Sequence, residues 1–265
     1  GITAIEFTTP YARDADDYIN KGLAVREQWL GHPLINFCLA PHAPYTVADK
    51  SFERLLTLSE QLNLPIHCHV HETAQEITDS LEQHQSRPLE RLNKLGLLGP
   101  NFIGVHAVHC SEEDLQLLKL SGSSVAHCPT SNLKLASGFA PVARMRQLGI
   151  NVGLGTDGAA SNNRLDLFGE MRLASLLAKG LSGDASTLPA HEVLRMATLN
   201  GAIALGLAHE TGSITPGKAA DLCAVSLADL SSRPCYDPVS HLINVAGRES
   251  VTHVWVAGKC CVDHK

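Results

Sequence analysis

Short apolar runs alternate with longer amphipathic segments along most of the chain. Between the runs, apolar residues recur at helical spacing in three segments: Ala15–Trp29, Lys50–Leu62 and Ser111–Leu120. Asp49 is the expected cap of the second segment, and the third opens with a Ser-Glu-Glu-Asp cap. Strands that alternate with helices predict parallel βαβ units. The runs are rich in β-branched residues and read as strands: Ile2–Phe7, Leu34–His42, Pro65–Glu72, Phe102–His109, Ser123–Pro129 and Asn151–Asp157.

Polar residues suited to chemistry stand at the ends of five of these runs. In a (β/α)8 barrel the active site lies at the carboxyl ends of the strands. An open doubly wound sheet instead gathers its site at one switch point. Five successive strand ends therefore favour an α/β fold of the TIM-barrel type, in which residues 1–208 supply about six of the eight strands. The residues concerned are His42, His69 to Glu72, His106, His127 and Asp157.

Two later regions have a different pattern. Pro189–Leu207 is expected to form one helix, and the turn-rich Gly212–Asp221 precedes an apolar strand at Leu222–Val225. Val251–Val256 and Cys260–Val262, joined by Ala257-Gly258-Lys259, predict a hairpin. We expect residues 209–265 to form the C-terminal part of a small β-sandwich with a connecting helix.

Composition narrows the class of protein. The 265 residues are 44% hydrophobic and 18% charged, which suits a globular domain with a sizeable core. A net charge of -6 argues against nucleic-acid binding, and no apolar run approaches the length of a membrane helix. The eight cysteines include no C-x-x-C pair; read mainly as buried reduced thiols, they indicate a cytoplasmic protein. The chain begins at Gly1 without Met, which we interpret as a cut at its start.

The densest cluster of candidate ligands is Pro65-Ile-His-Cys-His-Val-His-Glu72. Alternate residues of a strand share one face, so His67, His69 and His71 are expected on one side. A histidine near the strand end can bind a metal, and Glu72, three residues after His69, can act as an acid or base. A single histidine is more often structural, but three beside a glutamate favour chemistry.

Two further strand ends carry ambiguous residues. Asp157 stands in Gly153-Leu-Gly-Thr-Asp157-Gly and either binds a metal or caps a turn. His106, in Val105-His106, either polarises a substrate oxygen or fills a structural role. His42 lies between two prolines that stiffen its loop, which favours a substrate contact. Clustered histidine and aspartate without thiolates indicate a catalytic metal rather than a structural one.

Taken together, these motifs resemble the amidohydrolase superfamily, and within it the deaminases of 5'-methylthioadenosine and S-adenosylhomocysteine. The resemblance extends over essentially the whole chain. The motifs are Ala40-Pro-His-Ala-Pro-Tyr45, His69-Val-His-Glu-Thr73, Val105-His106, Pro129-Thr-Ser-Asn-Leu-Lys-Leu135 with Gly138, Gly155-Thr-Asp-Gly-Ala-Ala-Ser-Asn-Asn163, Glu170-Met-Arg-Leu-Ala174, Ala197-Thr-Leu-Asn-Gly-Ala202 and Gly212–Asp221.

The resemblance implies a set of roles at one metal centre. His69 would be a metal ligand, and Asp157 would be both a ligand and the general base. Glu72 would carry a proton between the attacking water and the ring nitrogen, and it would contact the substrate. His106 would orient or polarise a substrate oxygen. The implied metal is one divalent ion, most often Zn2+, with iron or manganese as alternatives.

The resemblance also implies a substrate and further contacts. The substrate would be a small purine nucleoside, deaminated hydrolytically to the inosine analogue and ammonia. His42 would contact the purine, Asn132 and Ser161 would line the pocket from loops, and Arg13 would reach the distal end of the substrate. We expect no nucleic-acid or membrane partner, and a homo-oligomer for the full-length protein.

One departure from the family pattern limits these expectations. The family's first strand carries a His-x-His pair of metal ligands, and Ile2–Phe7 corresponds to about its third strand. The 265 residues alone are therefore expected to bind metal weakly and to be inactive. Guanine or cytosine deaminases, triazine chlorohydrolases and a non-catalytic remnant stay open as alternatives; a phosphate-binding barrel is disfavoured because no glycine-rich phosphate loop follows the last strands.

Overall fold

A computed structural model describes residues 1–263 and contains a six-stranded sheet with neighbouring strands in chain order. The first four strands pair in parallel. Each strand lies inside one of the six predicted runs but is shorter than the run. The strands are β1 Ile2–Ala4, β2 Leu39–Pro41, β3 Ile66–Val70, β4 Phe102–His106, β5 Ser124–His127 and β6 Asn151–Leu154.

The pairing of β3 with β4 positions most of the candidate residues. The register runs from Ile66 opposite Phe102 to Val70 opposite His106. In β3, buried Cys68 and Val70 alternate with partly exposed His67 and His69. Every residue of β4 is buried, as expected for a strand that is covered on both faces.

Helices separate the strands, as the amphipathic segments predict. Ser111 caps its helix with a full capping box, in which Asp114 accepts from the Ser111 backbone. Asp49 is not the cap that the sequence predicts, because the N-cap is Ala48; the Asp49 carboxylate accepts from Arg91 Nε at 2.7 Å instead. The first eight helices are α1 Ala15–Gln28, α2 Asp49–Leu62, α3 Ala74–His84, α4 Pro88–Lys94, α5 Glu112–Ser121, α6 Pro129–Lys134, α7 Val142–Gln147 and α8 Leu167–Ser182.

The expectation of a single helix over Pro189–Leu207 is wrong. The segment forms two helices, α9 Ala190–Met196 and α10 Leu199–Ala204. Thr198 separates them: its backbone leaves the helical region, at φ -129° and ψ -94°, while its hydroxyl donates to the Leu194 carbonyl at 2.7 Å. A threonine hydroxyl that competes for helix carbonyls explains a break that apolar spacing does not reveal.

The C-terminal residues form a separate antiparallel sheet, as predicted. Its strands are β7 Leu222–Val225, β8 Val251–Val256 and β9 Lys259–Asp263, in that order, with α11 Pro238–Asn244 between the first two. Ala257 and Gly258 both have positive φ, 48° and 77°, as a two-residue hairpin turn requires.

Contacts divide the chain into two compact units, residues 1–125 with 148–150 and residues 126–147 with 151–265. The division into residues 1–208 and 209–265 stays a prediction. None of the helices in the described part is long and apolar enough to cross a membrane. All eight cysteines are free, but the expectation that they are mainly buried is wrong, since Cys223, Cys260 and Cys261 are exposed.

Candidate metal centre and active site

The ring of His69 is oriented by the backbone of the neighbouring strand. Its Nδ1 lies 2.6 Å from the carbonyl oxygen of His42, which can only accept. Nδ1 is therefore the donor, and in the neutral ring the lone pair of Nε2 is left for a ligand. A metal-binding histidine typically has one ring nitrogen held by a carbonyl or carboxylate while the other binds the ion. His69 thus has the environment of a ligand.

Three residues just at or after the strand ends adopt left-handed backbone. These residues are His71 at φ 55°, His106 at φ 73° and Asp157 at φ 59°. Residues with a side chain rarely take this conformation, and such strained positions concentrate at active sites. Because the chain leaves the extended conformation at His71 and His106, β3 and β4 stop earlier than their apolar runs predict.

His71 consequently does not share the face of His67 and His69, so that expectation is wrong. Its side chain is fully buried, and its Nε2 accepts from the Leu89 backbone at 3.0 Å. Burial lowers the pKa of His71 to about 4, although Asp114, 3.5 Å from Nδ1, acts in the opposite direction. A neutral, buried ring with these partners holds α4 and α5 against β3.

Glu72 and His106 lie together at the ends of β3 and β4. Glu72 Oε2 is 3.8 Å from His106 Nε2, and the Glu72 side chain is 17% exposed while that of His106 is 1% exposed. The rings of His69 and His106 stack with centroids 5.4 Å apart. A partly accessible carboxylate beside a buried imidazole is a suitable arrangement for proton transfer.

His42 lies on the other side of His69. The two rings meet edge to face at 5.2 Å, and His42 Nδ1 is 2.9 Å from the Thr46 hydroxyl. Burial, followed by the neighbouring His69, lowers the pKa of His42. His42 is therefore biased towards its neutral form, which can contact an uncharged heterocycle.

Two serine hydroxyls hold the Asp157 carboxylate. Ser131 Oγ donates to Asp157 Oδ2 at 2.7 Å, and Ser161 Oγ donates to the same oxygen at 2.6 Å. Ser131 is on α6 and fully buried, whereas Ser161 is in the loop after β6. These two bonds fix the orientation of the carboxylate plane.

Among the described residues, His69, His106 and Asp157 form a group that could hold a metal ion. Each offers one ligand atom, an imidazole nitrogen from His69 and from His106 and a carboxylate oxygen from Asp157. Imidazole nitrogen with carboxylate oxygen, without thiolate, suits a catalytic divalent ion such as Zn2+. The residues present therefore fit such an ion.

The other predicted substrate contacts have less distinct surroundings. Asn132 was expected in a loop, but it lies on α6 and is 1% exposed. Together with His127 it lines a cavity of about 220 Å³. Arg13 has an 82% exposed side chain, 3.7 Å from Asp17. The substrate contacts of Arg13, Asn132, Ser161 and His42 stay predictions.

Comparison with known proteins identifies the family. The model of the amidohydrolase family matches residues 8–261. The chain belongs to this family. It is 48% identical over 255 residues to the 5-methylthioadenosine/S-adenosylhomocysteine deaminase of Teredinibacter turnerae, and 47% identical over 258 residues to that of Saccharophagus degradans. The matches cover 96% and 97% of this chain but 58% of each relative.

Solved amidohydrolase structures confirm the TIM-barrel fold that the strand ends predict. An adenosine deaminase from Xanthomonas campestris with bound zinc is 47% identical, with a TM-score of 0.97 over 100% of this chain and 60% of its own length. E. coli guanine deaminase is 25% identical, with a TM-score of 0.85 over 99% of this chain and 63% of its own length. The resemblance drawn from the motifs is thus confirmed at the level of the family.

Proposed function

We propose that the protein is a metal-dependent hydrolase that converts an adenosine derivative, 5'-methylthioadenosine or S-adenosylhomocysteine, into its inosine analogue and ammonia. The observation that carries the proposal is the cluster at the ends of β3 and β4, where the His69 and His106 rings stack 5.4 Å apart and Glu72 lies 3.8 Å from His106. The names of relatives at 47–48% identity support the substrate class. Because this chain spans under two thirds of their length, the activity is proposed for the whole protein.

His69 and Asp157 are the proposed metal ligands. The bond from His69 Nδ1 to the His42 carbonyl leaves Nε2 as the donor atom, and the serine hydroxyls orient Asp157. Zinc is the favoured ion, and it is bound in the Xanthomonas adenosine deaminase. Iron and manganese accept the same donors. When bound, such a cation supplies Lewis acidity and lets a water molecule lose a proton near neutral pH.

The proposed reaction uses three side chains of this chain. Asp157 accepts a proton from the attacking water, whose oxygen adds to the purine carbon that bears the amino group. Glu72 donates a proton to the adjacent ring nitrogen and regains one from the added hydroxyl, while the proton held by Asp157 passes to the amino group, which leaves as ammonia. His106, buried beside Glu72, donates to the oxygen on which charge develops. His42 contacts the purine, and Asn132, Ser161 and Arg13 complete the substrate site.

A second candidate within the family is deamination of guanine or cytosine, or hydrolysis of a triazine. The guanine deaminase structure is only 25% identical, and the triazine hydrolases are 24% identical, a likeness that concerns the fold alone. The adenosine-derivative assignment is favoured because the relatives so named share far more of the sequence. Cytoplasmic location and homo-oligomeric assembly accompany the proposal.

Ammonia release from purified full-length protein loaded with zinc tests the proposal. The panel contains 5'-methylthioadenosine, S-adenosylhomocysteine, adenosine, guanine, cytosine and a chlorotriazine. We expect turnover of the first two at the highest kcat/KM, and its loss in E72Q. Turnover of guanine, cytosine or the triazine alone would replace the proposed substrate. Turnover of none of these compounds would favour the alternative of a non-catalytic remnant.

A further inference from the structure

A buried carboxylate outside the group described above contacts the backbone of Glu72 itself. Glu76, on the first turn of α3, is 4% exposed. Its Oε1 accepts from the His71 backbone at 2.9 Å, and its Oε2 accepts from the Glu72 backbone at 2.8 Å. One carboxylate thus bridges two successive amides, with one oxygen for each.

This contact differs from ordinary helix capping. Thr73 is the N-cap of α3, and its hydroxyl accepts from the Glu76 backbone at 3.2 Å. In a capping box the residue at the Glu76 position would bond back to the backbone of the N-cap residue. Here the carboxylate reaches beyond Thr73 to the two residues that connect β3 to the helix.

The two amides belong to the turn that orients the candidate acid. His71 has left-handed backbone at φ 55°, a conformation that costs free energy and persists only where surrounding contacts enforce it. The next residue, Glu72, leaves this turn with its carboxylate 3.8 Å from His106 Nε2. A change in the turn would therefore change where the Glu72 carboxylate points.

We propose that Glu76 is a positioning residue that fixes the His71–Glu72 turn and thereby holds the Glu72 carboxylate beside His106. The inference rests on the proposed function for its catalytic consequence, but not for the contact itself. Burial of Glu76 is unfavourable for its charge and raises its pKa to about 7.

The test uses the full-length protein with E76Q, which keeps the size but cannot accept from both amides, and E82Q on the exposed side of α3 as the matched control. Hydrogen exchange is followed at His71 and Glu72. We expect protection like that of β3 in the wild type and in E82Q, and roughly 10-fold faster exchange in E76Q, since a charge-assisted bond is lost. Equal protection in E76Q and the wild type would overturn the proposal.

Kinetics test the consequence for catalysis. We expect kcat of E76Q for 5'-methylthioadenosine to fall by about 10- to 100-fold, with KM and zinc content nearly unchanged, as for a displaced catalytic group. A parallel loss of zinc, or an unchanged kcat, would contradict the proposal. If the wild type deaminates no adenosine derivative, the proposed function fails, and exchange alone decides on the contact. If E76Q does not fold, fast exchange of both amides in the wild type overturns the contact, and slow exchange supports it.

Discussion

At the scale of single residues, Asp157 combines strained backbone with a fixed carboxylate. Asp157 lies just after β6 with a φ of 59°. The hydroxyls of Ser131 and Ser161 both donate to its Oδ2. D157N should abolish turnover, at least about 1,000-fold, because the amide is a weak base and a poor metal ligand. The readouts are kcat, zinc content and the circular-dichroism melting curve, with exposed D184N as control; near-normal turnover of D157N would refute the assignment.

The two serines allow a finer test of how Asp157 is oriented. Each hydroxyl donates to the same oxygen, so S131A or S161A alone leaves one donor in place. We expect each single variant to keep kcat/KM within about 3-fold of the wild type, and S131A/S161A to lose roughly 10-fold or more, since contacts in one network are not additive. Kinetics of all three variants, with S186A as a surface control, check this. A double variant no worse than the singles would show that the hydroxyls do not orient Asp157.

At the scale of elements, Asp114 links the start of α4 to the start of α5. Its carboxylate accepts from Arg87 Nε at 2.8 Å and from the Ser111 backbone at 2.8 Å, and it lies 3.5 Å from the His71 ring. D114N should lower the free energy of unfolding by about 2–4 kcal/mol, because it weakens a charge pair and a cap in a site that is 1% exposed.

Urea denaturation of D114N and of E113Q, an exposed neighbour on α5, measures this effect. We expect E113Q to lie within about 0.5 kcal/mol of the wild type, as surface substitutions usually do. A D114N variant as stable as E113Q would mean that the ion pair and the cap contribute little to the packing of α4 and α5.

The alternation of apolar runs with helical segments was sufficient to predict the six parallel strands and the C-terminal hairpin. It could not predict where β3 and β4 end, because the left-handed backbone of His71 and His106 follows from tertiary contacts. Of the residues that the motifs marked, His69 and His106 do lie together, with stacked rings. Glu76 was missed because Thr73-x-x-Glu76 has the spacing of an ordinary cap, and Ser131 because its acceptor lies 26 residues away in sequence.

At the scale of the whole molecule, Glu76 connects the candidate site to global stability. Burial raises its pKa from 4.5 to about 7, although the His71 and Glu72 backbone amides favour the charged form. The folded protein therefore binds a proton more tightly at this residue than the unfolded chain does. The titratable and charged groups around it are Tyr45, Cys68, Glu72, Asp79, His84, Arg91 and Cys110.

The sign of the resulting pH dependence follows from proton linkage. Between about pH 4.5 and 7 the folded state carries more protons at Glu76 than the unfolded state, so this residue makes the free energy of unfolding fall as pH rises. E76Q removes that contribution. The stability of the wild type minus that of E76Q should therefore decrease across this window, by on the order of 1 kcal/mol per pH unit.

Urea unfolding of the wild type and E76Q at half-unit steps from pH 4.5 to 7.5 measures the difference in the free energy of unfolding. The contributions of groups that titrate alike in both proteins cancel in this difference. A difference independent of pH would mean that Glu76 is already charged in the folded protein at pH 5. Near neutral pH the contribution of protonation at Glu76 is largely lost, because the pKa of about 7 has been reached. The stability difference that remains there between the wild type and E76Q measures the loss of the carboxylate contacts with the His71 and Glu72 amides.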